Sequence, residues 1–287
     1  MTFVRLLIAA FFAALLPTAA FADDAPCPPF EVTGSGPDLV LVPGLGSSPA
    51  VWDGVRESLA RDYRLHFVHV AGFAGRAPEG DPDTLLARTR AEIIRHLDCR
   101  KVESAAYAGH SMGGFLGLTL AADHPDRINK VVVVDSLPFF PLIFDPAATT
   151  DAVRAQADGM RAQIAAQDDA SFAAAQRMGA RSLVQAPDHQ AQIAAWSITS
   201  DRATFAGALH ALMTTDLRPR LGEIQAPVTV IAAANPFAPR SRIEPLYTAA
   251  YAGLQQAQLD VIDDSFHFIM FDQPQVFEAA LRAGLAG

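Results

Sequence analysis

The sequence has little of three things: cysteine, charge and long apolar runs. Two of its 287 residues are cysteines and 18% are charged. The spacing of the cysteines fits no metal site, and no residue pattern calls for a cofactor, so we expect neither. The acidic excess, a net charge of −9, repels phosphate backbones and argues against nucleic acid as a partner. The 51% of hydrophobic residues suits a sizeable core, and the length suits one large domain or one domain carrying an insertion.

The start of the chain differs from the rest. Arg5 is followed by an uncharged apolar run over residues 6–16 and by Ala-Phe-Ala at residues 20–22. This order predicts a signal peptide over residues 1–22 and a periplasmic or secreted protein. The run is short for a bilayer span, so we expect no stable membrane anchor after cleavage. The alternative is a retained anchor.

Both cysteines, Cys27 and Cys99, lie in the part that would be exported. An oxidising compartment allows this pair a single intramolecular disulfide. The alternative is two separate thiols.

The remaining chain alternates apolar strand-like runs with helical periodicity, which is typical of a parallel sheet covered on both faces. Strands are predicted at residues 39–42, 65–71, 105–108, 131–134, 228–232 and 259–262, and helices at 51–60, 85–97, 115–122, 243–252 and from about 275. Residues 138–226 show no convincing strand and read as helical. We therefore predict an α/β fold with a mostly parallel central sheet flanked by helices. A helical cap, residues 138–226, is inserted between two late strands of a core formed by residues 23–137 and 227–287.

A possible nucleophile stands at a predicted strand–helix corner. Residues 109–113 read Gly-His-Ser-Met-Gly, directly after one predicted strand and directly before a helix. Such a corner strains the serine backbone and projects the hydroxyl of Ser111 at a helix N-terminus, where developing negative charge is favoured. The alternative is a glycine-rich helix start with a capping serine.

With this motif and its context, the chain resembles the α/β-hydrolase fold family, with serine esterases and lipases that carry a helical cap. The resemblance extends over residues 41–48, 51–52, 72–75 and 109–114, and over 266–268 with 272–274. It implies that residues 41–48 form an oxyanion loop, with the backbone N–H groups of Leu45 and Met112 as donors. Many relatives have His-Gly where this chain has Pro43-Gly44, a change that should leave the backbone donor intact.

The base is chosen among eight histidines. His267 alone follows the last predicted strand and precedes the last helix, at the sheet edge that carries Ser111. It also keeps the Ser…acid…His order of this fold. His110 is expected to be structural, and a solvated or cap-packing role is expected for His96.

The acid has two candidate positions. After the strand that follows the predicted cap, where many family members carry it, this chain has Asn235. An amide orients an imidazole but stabilises an imidazolium poorly. Asp135, at the end of the strand before the predicted cap, is the alternative that we favour; its own alternative is a turn residue. Asp263 and Asp264 nearly adjoin His267 and are set aside.

These residues predict a serine hydrolase that cleaves carboxylic esters through an acyl-enzyme intermediate. Phe139, Phe140 and Phe144 could line an acyl pocket or could pack the predicted cap on the core. If these side chains line an acyl pocket, the expected substrate is a small apolar acyl or aryl ester. Lactonase, thioesterase, amidase and C–C hydrolase activities share the same triad, and a non-catalytic binding protein on this fold remains the alternative of a different class.

Overall fold

In a computed structural model, which describes residues 27–287, the chain forms a seven-stranded sheet with helices against both faces. The strands are β1 (Glu31–Gly34), β2 (Asp38–Val42), β3 (Arg64–Phe67), β4 (Ala105–His110), β5 (Ile128–Val134), β6 (Val228–Ala233) and β7 (Ala257–Ile262). The helices are α1 (Asp53–Leu59), α2 (Leu85–Cys99), α3 (Met112–Asp123), α4 (Thr150–Ala166), α5 (Asp169–Ala180), α6 (Pro187–Ile198), α7 (Arg202–Thr214), α8 (Arg240–Ala250), α9 (Ile269–Asp272) and α10 (Pro274–Ala286). The predicted signal peptide, residues 1–22, lies outside the described residues.

The strands lie in the order β1-β3-β2-β4-β5-β6-β7, and all pairs are parallel except β1 with β3. The predicted mostly parallel sheet is confirmed. Strand β1 is not predicted from the sequence, because its four residues, Glu-Val-Thr-Gly, are too few and too polar to show a pattern. As an edge strand it has a neighbour on one side only, which relaxes the demand for apolar residues.

The central strands of the parallel sheet are apolar on both faces because helices cover both sides. Val131 and Val133 of β5 pack in one buried cluster, with Phe115 of α3. Val132 and Val134 point the other way, into the cluster that holds α1 and α10. The carboxyl ends of β2, β4, β5 and β6 therefore meet at one edge of the sheet.

Between β5 and β6 the chain forms α4 to α7 and two 3-10 helices, Phe140–Ile143 and Arg218–Glu223, without a strand. This is the segment assigned to the cap, and the division into core and cap stays a prediction. None of the helices within residues 27–287 combines the length and the hydropathy needed to cross a membrane.

Two details differ from expectation. The strand predicted over 65–71 ends at Phe67, although Val68 and Val70 remain buried: an apolar run reports burial and does not require a ladder. His96 is neither solvated nor part of the 138–226 segment. It is fully buried in α2, with its ring 4.6 Å from that of Phe30.

The structure joins Cys27 to Cys99, with their Cα atoms 5.9 Å apart. This separation lies within the range that a disulfide spans. Formation of the bond in the protein stays a prediction, and reduction tests it below.

Candidate active site

Ser111 occupies a strained corner between β4 and α3. Its φ of 54° and ψ of −118° lie in a region that side chains rarely adopt. A Cβ on Gly109 would collide with the backbone of Gly113, and one on Gly113 with the carbonyl of Val42. The Ser111 N–H donates to the Val134 carbonyl at 2.8 Å, which ties the corner to the neighbouring strand. The hydroxyl is thereby held above the carboxyl edge of the sheet.

His267 and Asp135 form a pair at the same edge. The His267 Nδ1–H donates to Asp135 Oδ2 at 2.6 Å. Because the carboxylate is an acceptor, this bond places the ring proton on Nδ1 and leaves Nε2 as the basic nitrogen. The side chains are 25% and 14% exposed, respectively, so the pair is shielded but accessible.

Asp135 is itself held by other groups. Its φ of 45° marks a second left-handed, strained position. The other oxygen, Oδ1, accepts from the Ala233 N–H and the Tyr247 hydroxyl, each at 3.0 Å. The carboxylate is therefore oriented by three donors, His267 included.

Asn235 is engaged elsewhere. Its Oδ1 accepts from the backbone N–H groups of Phe237 and Ala238, at 2.9 and 3.0 Å, and its Nδ2 donates to the Ser265 carbonyl at 3.4 Å. The amide therefore stabilises its own turn. Among the described residues, the carboxylate that contacts His267, the predicted base, is Asp135.

His110 supports the loop of the base. Its Nε2–H donates to the His267 carbonyl at 3.0 Å, and the two ring centroids are 4.5 Å apart. Complete burial, together with the neighbouring His267, lowers the pKa of His110 well below its usual value. His110 is therefore a neutral tether between the corner of Ser111 and the loop of His267.

A cavity of about 500 Å³ brings the predicted site residues together. Ser111, Asp135 and His267 all line it, as do Leu45 and Met112. Ser111 and His267 do not form a direct hydrogen bond in the described chain. Such contacts are often long without substrate and shorten in the reactive complex.

The predicted oxyanion donors are available for a ligand. Within residues 27–287, the backbone N–H groups of Leu45 and Met112 have no hydrogen-bond acceptor. Met112 begins α3, so its N–H points out of the helix N-terminus, where negative charge is stabilised. Their role as an oxyanion hole stays a prediction.

The cavity wall is mostly apolar, and the segment 138–226 supplies much of it. Phe140 and Phe144 line the cavity, as the sequence suggested. Phe139 does not: it is fully buried beneath the guanidinium of Arg218, 5.2 Å from the ring centroid. The backbone at Phe139 is extended, and successive side chains of an extended segment point to opposite sides. Phe139 thus packs the segment, while Phe140 faces the cavity.

Metal and cofactor chemistry was not expected from the sequence. Residues 27–287 contain no group of three or more His, Cys, Asp or Glu side chains arranged to hold a metal ion.

Sequence reasoning missed Tyr247 of α8 and Tyr251, which directly follows the last residue of that helix. Tyr247 donates to Asp135, and Tyr251 donates to the Ser136 carbonyl at 2.7 Å. Their spacing of four residues puts both on one helix face, and a buried hydroxyl needs an acceptor. That spacing could have marked α8 as a helix that contacts polar groups, although not which groups.

Known proteins show the same organisation. Residues 37–274 match the family model described as alpha/beta hydrolase fold. The chain is 29% identical over 251 residues to the pimeloyl-[acyl-carrier protein] methyl ester esterase of Aeromonas hydrophila, covering 86% of this chain and 94% of that protein. It is 32% identical over 213 residues to the protein of the same name from Nitrosomonas europaea, covering 71% and 79%.

Solved structures agree on the fold. A hydrolase from Pseudomonas aeruginosa PA01 superposes with a TM-score of 0.75 at 24% identity, covering 90% of this chain and 94% of that one. The enol-lactonase from Burkholderia xenovorans LB400 has a TM-score of 0.73 at 20% identity, covering 90% and 96%. With the family model matched over most of its length, the chain belongs to the α/β-hydrolase fold family.

Proposed function

We propose that the protein hydrolyses carboxylic esters with Ser111 as nucleophile, His267 as general base and Asp135 as the acid that orients it. The prediction of a carboxylic ester hydrolase is confirmed by relatives that are named methyl ester esterases. The triad and the acyl-enzyme route are our proposal. The observation that carries it is the 2.6 Å bond between His267 and Asp135 on the cavity that Ser111 also lines.

The mechanism follows from where the charges develop. His267 Nε2 accepts the Ser111 proton while Oγ attacks the ester carbonyl, and the imidazolium is stabilised by the Asp135 carboxylate. The carbonyl oxygen becomes an oxyanion, which the N–H groups of Leu45 and Met112 bind; such donors are worth about 10²–10³ in rate. The imidazolium protonates the departing alcohol. Water, activated by the same base, then hydrolyses the acyl-enzyme.

The cavity supports a small ester with an apolar acyl or aryl group as substrate. Its wall carries Phe140, Ile143, Leu209 and Leu212 beside a few serine hydroxyls. Apolar walls favour burial of hydrocarbon by about 25 cal/mol per Å². The relatives are named esterases of a pimeloyl-[acyl-carrier protein] methyl ester, so methyl esters belong among the first substrates tested.

Export is part of the proposal. The predicted signal peptide would deliver the protein to the periplasm or outside the cell, where Cys27 and Cys99 could be oxidised. Fractionation of cells that express the full chain tests it: cleavage near residue 22 with activity in the periplasmic fraction supports export, and uncleaved cytosolic protein contradicts it.

A fluorophosphonate probe tests the nucleophile. Labelling should fall on Ser111 and be absent in Ser111→Ala. A folded protein whose Ser111 does not react would favour the non-catalytic alternative.

A substrate panel then separates the activities that share the triad. We would compare p-nitrophenyl esters of graded chain length and methyl esters with lactones, thioesters and aryl amides. The highest kcat/KM is expected for uncharged esters. A preference for lactones or thioesters would redefine the reaction while leaving Ser111 in place.

A further inference from the structure

Three of the four tyrosines donate hydrogen bonds to residues that belong to the proposed triad or lie within two positions of it. Tyr107 donates to the Gly113 carbonyl at 2.6 Å, and Tyr251 donates to the Ser136 carbonyl at 2.7 Å. Both support backbone. Tyr247 is different, because its hydroxyl reaches a side chain of the triad, Asp135 Oδ1, at 3.0 Å.

Asp135 needs such donors. Its carboxylate is 14% exposed, so most of its hydration has been removed. A buried carboxylate without donors is costly and turns toward whatever donor it can find. Two of its three donors are the Ala233 backbone N–H and His267. Among the described residues, the side chains that donate to Asp135 are therefore His267 and Tyr247. Of these, Tyr247 does not accept a proton in the proposed reaction.

Tyr247 is suited to this role. It is buried in α8, and burial together with the adjacent Asp135 charge raises the pKa of Tyr247 well above its usual value. The hydroxyl therefore stays protonated, and stays a donor, throughout the range in which esterases are assayed. Tyr251, one helical turn later, stacks beside it with ring centroids 6.3 Å apart.

We propose that Tyr247 is a positioning residue, whose hydroxyl holds Asp135 so that Oδ2 faces His267 Nδ1 and the negative charge stays beside the imidazolium that forms. This inference rests on the proposed triad. It assigns to α8 a part in catalysis without contact with the reacting atoms.

The test compares Tyr247→Phe with Tyr251→Phe. Each removes one hydroxyl from a buried ring at the C-terminal end of α8, but only the first removes a donor to the carboxylate. Tyr247→Phe should lower kcat about tenfold, since a hydrogen bond to a charged group is lost. Tyr251→Phe should lower Tm by about as much as Tyr247→Phe does, but it should change kcat less than about twofold.

The pH profile separates positioning from general destabilisation. Without the Tyr247 hydroxyl the carboxylate can turn away from His267, which leaves the imidazolium less stabilised, so the acid limb of kcat/KM should move to lower pH in Tyr247→Phe. Tyr251→Phe should keep the wild-type limb. If both variants show the same limb, or if Tyr247→Phe keeps wild-type kcat, the positioning role is overturned.

A double-mutant cycle asks whether Tyr247 acts through Asp135. In an Asp135→Asn background the carboxylate charge is absent, so adding Tyr247→Phe should change kcat less than about twofold. A tenfold further loss would mean that Tyr247 acts by another route and would overturn the proposal. Fluorophosphonate labelling of the wild type is measured alongside: a reactive wild type with an unimpaired Tyr247→Phe refutes the positioning role and leaves the proposed function standing.

Discussion

Within residues 27–287, two of the histidine–aspartate pairs have the same hydrogen-bond length but different surroundings. His267 donates to Asp135 at 2.6 Å, and His66 Nε2 lies 2.6 Å from Asp38 Oδ1. The two aspartates are almost equally shielded, with 14% and 13% of the side chain exposed. Asp38 begins β2, whereas Asp135 follows β5. The pairs therefore lie at opposite edges of the parallel sheet.

The second nitrogen of each ring sets the pairs apart. His66 Nδ1 is hydrogen-bonded to His96 Nε2 at 2.9 Å, whereas His267 lines the cavity, and its Nε2 has no hydrogen-bond partner among residues 27–287. Asp38 is further neutralised by two hydrogen bonds from Arg64. Burial lowers the pKa of His66, and lowers that of His96 to about 4. A short His–Asp bond by itself is thus not a sign of catalysis; the proposed active site differs in that its histidine lines a cavity together with the strained Ser111.

The largest expected effect separates the pairs by activity. Asp135→Asn should lower kcat about 10³–10⁴-fold, because an amide can no longer stabilise the imidazolium and favours the wrong ring tautomer. Steady-state kinetics on a p-nitrophenyl ester measures it. Asp38→Asn, the same change in the other pair, should leave kcat within about threefold of wild type.

Asn235→Ala is the matched control at the other candidate acid position. It removes the bonds to Phe237 and Ala238 and should cost about 1 kcal/mol of stability with kcat nearly unchanged. If Asn235→Ala abolishes turnover and Asp135→Asn is mild, the acid assignment is wrong.

Reduction of the disulfide should destabilise the part of the fold around the His66–Asp38 pair. The bond between Cys27 and Cys99 closes a loop with a sequence separation of 72 and attaches the segment that carries Phe30 onto His96. Its loss should lower the free energy of unfolding by about 2–4 kcal/mol. Thermal melts with and without reductant measure this, and Cys27→Ser/Cys99→Ser should match the reduced wild type. An unchanged Tm would show that the bridge does not form.

Acid should also destabilise the region of the His66–Asp38 pair, through His96, which contacts His66. The pKa of His96 is about 4 in the fold and 6.5 without it, so the unfolded chain binds the extra proton between these values. The contribution of His96 to stability is therefore complete above about pH 6.5 and falls as the pH drops toward 4, by up to about 3 kcal/mol. Urea unfolding across this range measures the slope. His96→Gln should flatten it, whereas His124→Gln, at an exposed site, should follow the wild type; equal slopes in all three would contradict the assignment.

The smallest expected effect concerns the hydrogen bond from His110 to the His267 carbonyl. His110 holds the His267 carbonyl, so His110→Ala should lower kcat about tenfold by loosening the base. His110→Gln keeps a donor and should lose less. If the two variants are equally impaired in kcat, the hydrogen bond is not what matters.

Much of the site could be predicted because it depends on local sequence. Residues 109–113 require a strand before them and a helix after them, and both could be inferred from apolar patterns. His267 was selected by its place after the last strand. Asp135 and Asn235 are harder to rank as the acid, because they follow two neighbouring strands, β5 and β6. Only their side-chain contacts show which of them bonds to His267. Tyr247 was not found, since a helical tyrosine shows no target in the sequence.

The sequence by itself determined the alternation of strands and helices, the corner at Ser111 and the chain order of the candidate triad, because these follow from local apolar patterns and turn residues. Only the tertiary structure decided which aspartate serves which histidine. Asp38 and Asp135 both lie at an end of an apolar strand. In the fold, however, Arg64 and His96 bond to the pair of Asp38, whereas the pair of Asp135 lines the cavity. The physical reason is that a pair's chemistry depends on what surrounds it, and burial and hydrogen-bond partners come from segments far apart in the chain.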